Sequence, residues 1–75
     1  MRTRPLAILR GCGIVMRIKG SSEELRRLIS LGFAPGRKVR VHINGSVIVV
    51  EVDNSILVMD HQLASKIMVG DQYED

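Results

Sequence analysis

The sequence predicts a mainly β domain: a small, partly open barrel of about five short strands, with one short inserted helix and a C-terminal helical turn. The chain has 75 residues, of which 45% are hydrophobic and 25% charged, as expected of a single globular domain. Its aliphatic residues fall in short runs separated by turn signals. One segment, residues 21–36, instead has helical spacing with start and stop signals.

The N-terminal part is predicted to reach the first strand through a short apolar segment and a bend. Residues 5–11 are mostly apolar, and the Gly-Cys-Gly sequence that starts at residue 11 predicts the bend. Residues 14–19 are rich in β-branched side chains and alternate basic with apolar ones, which is typical of a strand. Gly20 is expected to end this strand.

The next segment is predicted to be a short helix with a defined start and end. Ser21 and Glu24 have the spacing of a capping box, in which each side chain binds the backbone N–H of the other residue. At the far end, Gly32 is placed as a left-handed cap, and Pro35 and Gly36 fit the centre of a type II turn. The apolar positions are expected to lie in the core: Leu25, Leu28, Ile29 and Phe33.

Two hairpins are predicted after the helix, with strands at residues 38–43, 47–52 and 55–59. The turns are Asn44-Gly45, the strongest short hairpin signal, and Asp53-Asn54. Loops of two residues fix the register and therefore the two faces of the sheet. One face is Val39, Val41, Ile48, Val50, Leu57 and Met59. The other face is Lys38, Arg40, His42, Val47, Val49, Glu51, Ile56 and Val58.

Four apolar side chains cluster on the second, more polar face and are named here the strand patch: Val47, Val49, Ile56 and Val58. Two interpretations are open. In the favoured one, the N-terminal segment around residues 6–9 covers them. In the other, they are exposed and bind a partner or, in a weak homo-oligomer, a second copy of the chain.

The C-terminal part is predicted to contain a helical turn and a last short strand. Asp60 can cap a helix over residues 61–66 that buries Leu63 and Ala64. Residues 67–69, which are apolar, then form the strand.

The whole chain, residues 1–75, is interpreted as one domain, with residues 1–4 and 70–75 expected to fray. Its single cysteine, Cys12, points to a reducing compartment, because a secreted domain of this size would carry several paired cysteines. The apolar runs are too short to cross a bilayer. The expected location is therefore the cytoplasm.

The net charge of +3 is unevenly distributed. Residues 1–40 hold ten Lys/Arg and two Glu, for a net charge of +8, whereas residues 41–75 hold one lysine and six acids, for a net charge of −5. One interpretation is a basic surface for an acidic partner, nucleic acid or an anionic membrane. The favoured one is that both halves simply have solvated outer faces and lie close together in the fold.

Catalytic chemistry is not predicted. The chain has no Gly-rich phosphate loop with Lys-Ser/Thr, and its serines are explained by caps and turns. No Cys or His pair has metal-ligand spacing, so Cys12 is interpreted as a small apolar filler and His42 and His61 as solvated surface side chains. We therefore expect no enzyme activity, no cofactor and no metal site.

Nucleic-acid binding is the main physical alternative, because small barrels often bind single strands. Such sites usually stack bases on aromatic side chains, and this chain has only Phe33 and Tyr73. Weak contact with the phosphate backbone through Arg and Lys remains open. No nucleic acid is expected as the main partner.

The order of these elements resembles the ferrous iron transport protein A (FeoA) family, which has an SH3-like barrel with a helical insertion. The resemblance runs from about Leu6 to Val69, and its most specific part is the sequence Arg-Leu-x-x-Leu-Gly-Phe-x-Pro-Gly-x-x-Val over residues 27–39. A second anchor is Ala-x-x-Ile-x-Val over residues 64–69.

The resemblance implies a non-catalytic accessory protein of bacterial ferrous iron uptake. Its expected partner is the cytoplasmic part of the membrane iron transporter FeoB, which carries a GTP-binding domain and would hold the protein at the inner face of the membrane. The same barrel occurs as the C-terminal domain of iron-dependent repressors, but a chain that begins at Met1 without DNA-binding helices is expected to be freestanding.

The residues predicted to bind the partner are the outward side of the helix, the turn after it and the strand patch: Arg26, Arg27, Ser30, Ala34, Pro35, Gly36, Val47, Val49, Ile56 and Val58. Two departures from the family pattern affect this prediction. Many relatives have a longer loop where Asn44-Gly45 stands here, and relatives often have a basic residue near the position of Asp60.

Overall fold

Six antiparallel strands in one continuous sheet form the body of the protein, whose computed structural model describes residues 3–71. The strands are β1 Thr3–Pro5, β2 Gly11–Ile18, β3 Lys38–Asn44, β4 Ile48–Val52, β5 Ser55–Met59 and β6 Ile67–Asp71. Their order in the sheet is β1-β6-β2-β3-β4-β5. A 3₁₀ turn, Leu6–Ile8, follows β1, and the two helices are α1 Ser22–Ser30 and α2 His61–Ala64. The predicted fold class is confirmed, with one strand more than expected.

The additional strand lies at the N-terminal end of the described chain. Thr3 is opposite Gly70 and Arg4 is opposite Val69, so β1 extends the sheet beyond β6. The expected fraying is wrong for Thr3 and Arg4 and for the backbone of residues 70–71, because pairing satisfies backbone N–H and C=O groups in both segments. Residues 1–2 and 72–75 lie outside the described residues.

The predicted bend at Gly-Cys-Gly is also wrong, because these residues are the first part of β2. Gly13 is buried, and a Cβ atom there would lie 3.0 Å from the Gly70 carbonyl oxygen and 3.2 Å from Leu9 Cδ2. The glycine therefore allows β2 and β6 to approach closely, which is a role that sequence alone does not distinguish from a bend. Cys12, between the glycines, is half-buried.

Helix α1 begins and ends as predicted. The Ser21 hydroxyl accepts a hydrogen bond from the Glu24 N–H, and Glu24 Oε1 accepts one from the Ser21 N–H. At the other end, Gly32 has φ of 113°, and its N–H donates to the Ile29 carbonyl. The Phe33 N–H donates to the Leu28 carbonyl at 3.0 Å, which completes a Schellman cap.

The part of α1 that is buried is narrower than predicted. Leu28 and Phe33 are fully buried, but 37% of Leu25 and 41% of Ile29 are exposed. On a helix with about 100° per residue, Leu25 and Ile29 lie roughly 60° and 100° away from Leu28. Because α1 contacts the core mainly through Leu28, the prediction that Leu25 and Ile29 are core residues is wrong.

An ion pair fixes the start of α1 to the end of the α2 segment. Lys66 Nζ donates to Glu24 Oε2 at 2.5 Å, and this bond, together with the backbone bond from Ser21, lowers the pKa of Glu24. Because the pKa is lower in the folded state, the stabilising effect is present above the unfolded pKa and is lost as the pH falls below it.

We expect Glu24→Gln to flatten the acid part of the stability profile. Glutamine keeps an oxygen that can accept the Ser21 N–H bond, but it cannot gain or lose a proton. Urea unfolding at about pH 6 and about pH 3 should show a smaller loss of the free energy of unfolding for this variant than for the wild type. The control is Glu23→Gln, since Glu23 is exposed and has no ion pair in residues 3–71. An unchanged acid profile in Glu24→Gln would contradict the assignment.

The two hairpin predictions differ in outcome. Asp53 and Asn54 have φ of 54° and 66°, and Val52 is opposite Ser55, so the predicted two-residue turn is confirmed. Asn44-Gly45 is not a two-residue turn. Asn44 is the last residue of β3, opposite Ile48, and residues 45–47 form the connection.

The β3–β4 register is shifted because of a bulge and a distant contact. Val41 is opposite Val50 and Ile43 is opposite Val49, which leaves His42 without a partner in the ladder. The Asn44 side chain donates to the Ala7 carbonyl at 2.9 Å, which favours its place in the strand. Val41 pairs two residues further along β4 than predicted. Because a shift by an even number of residues keeps each side chain on the same side of the sheet, the two predicted faces are preserved.

The core lies on the predicted inner face. Val39, Ile48 and Val50 are buried, and Val41 and Leu57 are half-buried against them. Among residues 3–70, the buried apolar side chains are Leu6, Leu9, Val15, Leu28, Phe33, Val39, Ile48, Val50, Val52, Met59, Ala64, Ile67 and Val69.

The favoured interpretation of the strand patch is wrong. Leu6 and Leu9 are themselves core residues, so the N-terminal segment does not cover the outer face. Ile56 is 65% exposed and Val58 66% exposed. Val47 is also exposed, and Val49 is half-buried.

The C-terminal helical turn is confirmed but ends earlier than predicted. Asp60 Oδ1 accepts the Leu63 N–H at 2.7 Å, Ala64 is buried and Leu63 is half-buried. Helix α2 ends at Ala64, and a turn with a bond from the Lys66 N–H to the Leu63 carbonyl leads into β6. Among residues 3–71, neither helix is long and apolar enough to cross a bilayer.

Candidate partner-binding surface

The outward side of α1 carries the predicted polar residues. Arg26, Arg27 and Ser30 are all exposed. Neither arginine makes a hydrogen bond or ion pair through its side chain with another described residue. The Ser30 hydroxyl donates to the Arg27 carbonyl at 2.7 Å, so its hydrogen is already used within the helix. The two guanidinium groups are therefore available for an anionic group on a partner.

Three apolar side chains accompany these arginines, and sequence reasoning did not assign them to the surface. Leu25, Ile29 and Leu31 are 37%, 41% and 39% exposed. Together with the predicted polar residues they form what we name the helix surface: Leu25, Arg26, Arg27, Ile29, Ser30 and Leu31. This combination suits binding, because apolar area supplies affinity and the guanidinium groups supply orientation.

The turn after the helix is held by backbone hydrogen bonds. The Gly36 N–H donates to the Val15 carbonyl, and the Val15 N–H donates to the Arg37 carbonyl, both at 2.8 Å. The Arg37 N–H donates to the Ala34 carbonyl at 3.1 Å, and Gly36 has φ of 94°, as the predicted type II turn requires. Pro35 and Gly36 are exposed and Ala34 is half-buried, so an ordered turn adjoins the helix surface.

The strand patch is separate from this helix and turn. Its residues lie on the outer face of the sheet, where Val49 is opposite Val58 and Ile56 is opposite Glu51. Helix α1, in contrast, places Leu28 in the core on the inner face. The predicted site residues therefore form two groups, one on α1 with its turn and one on β4, β5 and the connection that precedes β4.

Electrostatic pairing leaves the surface predominantly positive. Glu24 pairs with Lys66, Glu51 with His42 at 2.8 Å and Asp53 with Arg37 at 3.4 Å. Asp60 caps α2 but has no cationic partner, so Glu23 and Asp60 are the acids without an ion pair among those whose side chains the structure describes. The cations without such a partner in residues 3–71 are Arg10, Arg17, Lys19, Arg26, Arg27, Lys38 and Arg40. The Arg37–Asp53 and Lys66–Glu24 pairs show that the two halves of the chain lie close together, as the favoured interpretation expected, but they neutralise each other only in part.

A shallow groove of about 300 Å³ between α1 and α2 borders the helix surface. Its lining includes Arg27, Gln62, Leu63 and the Glu24–Lys66 pair. Asp60 also lines it, but its carboxylate is used in capping α2. The groove therefore combines the cation of Arg27 with the negative charge of Asp60, which capping does not neutralise.

The side chains considered as metal ligands are not brought together. His42 pairs with Glu51, and His61 Nε2 lies 2.6 Å from the Gly45 carbonyl oxygen, so the imidazole donates there. Within residues 3–71, no three His, Cys, Asp or Glu side chains lie close enough to hold one ion. Among the described residues, this surface therefore offers cationic and aliphatic side chains to a partner.

Comparison with solved structures identifies similar folds. An iron uptake regulatory protein (FeoA) superposes with a TM-score of 0.83 at 28% identity, covering 92% of this chain and 96% of that one. The FeoA protein from Chlorobium tepidum gives 0.80 at 26% identity, covering 95% of this chain and 72% of that one.

A manganese-dependent transcriptional repressor gives a TM-score of 0.82 at 25% identity, covering 93% of this chain but 42% of the repressor. Comparison with curated protein sequences gave no match. The sequence profile of the FeoA domain matches residues 11–70, from the first residue of β2 to within β6, and includes the helix and turn described above. Both the fold and the sequence therefore place this chain in the FeoA domain family, whose barrel is SH3-like.

Proposed function

We propose that this chain is a non-catalytic cytoplasmic accessory protein that binds the cytoplasmic part of the FeoB transporter and promotes or regulates transport. Membership of the FeoA domain family implies a role related to ferrous iron transport. The superposition with a FeoA protein of known structure covers 96% of that chain, so the comparison extends over nearly all of it. As a single domain bound to the transporter, it would lie at the inner face of the membrane.

The helix surface and the adjoining turn carry the proposal. Arg26 and Arg27 are unpaired cations on a helix fixed at both ends by its caps. Arg26 is three positions before the exposed Ile29, and Arg27 is four positions before the exposed Leu31, so each has an apolar neighbour on the helix. A surface that is already ordered loses little conformational entropy on binding. We assign the contact to Arg26, Arg27, Ser30, Ala34, Pro35 and Gly36, supplemented by Leu25, Ile29 and Leu31.

The experiment is a titration of the transporter, reconstituted in lipid nanodiscs, with the wild-type chain and matched variants. We expect Arg26→Gln with Arg27→Gln to weaken binding about tenfold or more, because two charge-assisted contacts are lost. Leu25→Ala with Ile29→Ala should have a comparable effect. Both apolar side chains are partly exposed, so circular dichroism should show an intact fold.

The matched control is Arg17→Gln with Lys19→Gln. It makes the same change in net charge at two unpaired cations outside α1 and its turn, and we expect less than about a twofold effect. Absence of wild-type binding in both the GTP- and GDP-loaded transporter would refute the proposed function. Equal weakening by the control and the α1 variants would refute the assigned surface.

A second candidate is an interaction domain of the type found in metal-dependent repressors. The specific observation in its favour is the 25% identity and TM-score of 0.82 with the manganese-dependent repressor, of which this chain spans 42%. If the chain shares the manganese dependence of that repressor, it should bind Mn²⁺, which calorimetry on the isolated chain can detect. Metal binding without any binding to the transporter would favour this candidate over the first.

A further inference from the structure

One end of the molecule carries uncharged, exposed aliphatic side chains on two adjoining loops. The Asn44 side chain joins the β3–β4 connection to the 3₁₀ turn through the Ala7 carbonyl, and His61 Nε2 donates to the Gly45 carbonyl. Residues 43–47 contain no charged side chain. The exposed aliphatic residues, named here the hairpin tip, are Ile8 at 60%, Ile43 at 58% and Val47 at 42% exposure.

Two unpaired cations lie near the hairpin tip. Arg10 directly precedes β2 and lines a shallow pocket together with His42 and Asn44. Arg40 is opposite Glu51 and lies on the outer face of the sheet. Neither arginine has a partner in the described part of the chain. The acid opposite Arg40 is Glu51, whose carboxylate already binds His42 at 2.8 Å. Positive charge therefore remains available beside the tip.

We propose that the hairpin tip and the two cations near it bind the surface of an anionic phospholipid bilayer. The aliphatic side chains of Ile8, Ile43 and Val47 would enter the headgroup region, and Arg10 and Arg40 would contact lipid phosphates. Charge complementarity is the reason for choosing this partner, because the face has an excess of unpaired cations. Nucleic acid fits less well, since the tip offers no aromatic side chain on which a base could stack.

This inference does not rest on the proposed function. The hairpin tip is formed by the 3₁₀ turn and the β3–β4 connection, whereas the transporter contact is assigned to α1 and its turn. Lipid vesicles without any transporter therefore test it separately. A chain held by the bilayer at one end would be concentrated near a membrane partner, which increases the effective concentration for the second contact.

The experiment is co-sedimentation of the full chain with vesicles of phosphatidylcholine alone or with roughly 30 mol% phosphatidylglycerol. We expect binding to the anionic vesicles at about 50 mM salt, at least tenfold stronger than to neutral vesicles, and its loss at about 500 mM salt. Arg10→Gln with Arg40→Gln should weaken the binding about 25-fold, because each cation near the surface contributes about fivefold. Ile43→Ser with Val47→Ser should weaken it without changing the net charge.

Arg17→Gln with Lys19→Gln is the matched control, with an expected effect below about twofold. Circular dichroism on each variant separates lost binding from lost folding. Three outcomes would overturn the proposal: equal binding to neutral and anionic vesicles, equal weakening by the control, or binding that Ile43→Ser with Val47→Ser leaves unchanged. Binding of a single-stranded oligonucleotide as tight as that of the anionic vesicles would also overturn it and assign the face to polyanions in general.

Discussion

Replacing Phe33 with alanine is expected to lower the free energy of unfolding by about 3–5 kcal/mol. Within residues 3–71, Phe33 is the largest fully buried side chain, and it lies at the junction of the α1 cap and the core. Truncation removes its apolar contacts and leaves a cavity, while the bond from its N–H to the Leu28 carbonyl remains available. Because small domains are stable by only about 5–15 kcal/mol, this loss is a large fraction of the total stability.

Urea denaturation followed by circular dichroism measures this effect. The control is Leu31→Ala, which truncates an apolar residue two positions earlier that is 39% exposed, and it should cost less than about 1 kcal/mol. A loss below about 1 kcal/mol for Phe33→Ala would contradict the placement of this side chain in the core.

The second large effect is expected for Gly13→Val. The Cβ atom alone would lie 3.0 Å from the Gly70 carbonyl oxygen and 3.4 Å from Val69 Cβ. The two further methyl groups of valine would have no free space beside these neighbouring atoms. Because one of these neighbours is backbone, β2 and β6 would have to separate at the centre of the sheet. We expect a loss of about 3 kcal/mol or more in the free energy of unfolding.

Gly45→Val is the matched control for this substitution. A Cβ atom at Gly45 would meet no atom within 4 Å. The expected change in the free energy of unfolding is therefore within about 0.5 kcal/mol, measured by the same urea titration. Comparable losses in the two variants would show that glycine is needed at residue 13 for a reason other than the close approach of β6.

The features that could be predicted from the sequence are those determined by neighbouring residues. The capping box of Ser21 and Glu24, the glycine cap at Gly32 and the Asp53-Asn54 turn each depend on side chains and backbone within a few positions. Local hydrogen bonds of this kind form in the same way whatever the rest of the chain does. For that reason, the predicted helices and strands and their end positions were largely correct.

The features that could not be predicted depend on contacts between distant parts of the chain. Asn44 is held in β3 by a bond to Ala7, 37 positions away, and this contact accompanies the bulge that replaces the expected tight turn. Glycine is required at residue 13 because β2 there lies close to Gly70 on β6 and leaves no room for a side chain. Neither contact leaves a signal in the residues around it, so a bend and a two-residue turn were the reasonable expectations.

The candidate site, too, could be predicted only in part, because its apolar area depends on how α1 packs on distant parts of the chain. Helical spacing correctly placed Arg26 and Arg27 on the outward side of α1, but it could not give the width of the buried stripe. Leu25 and Ile29 are exposed because α1 contacts the core mainly through Leu28. The apolar part of the helix surface therefore became visible only in three dimensions, and it is the part that distinguishes a binding surface from a solvated helix.

The most direct test of the transporter contact is to map it by nuclear magnetic resonance. The ¹⁵N-labelled chain would be titrated with the GTP-binding domain of FeoB and with the transporter in nanodiscs, and the amide shifts followed residue by residue. We expect the perturbed amides to cluster on Ser22–Ser30 and on residues 31–36, with β5 little affected. Perturbations confined to β5 or to the hairpin tip, or none at all with either partner, would contradict the proposed contact.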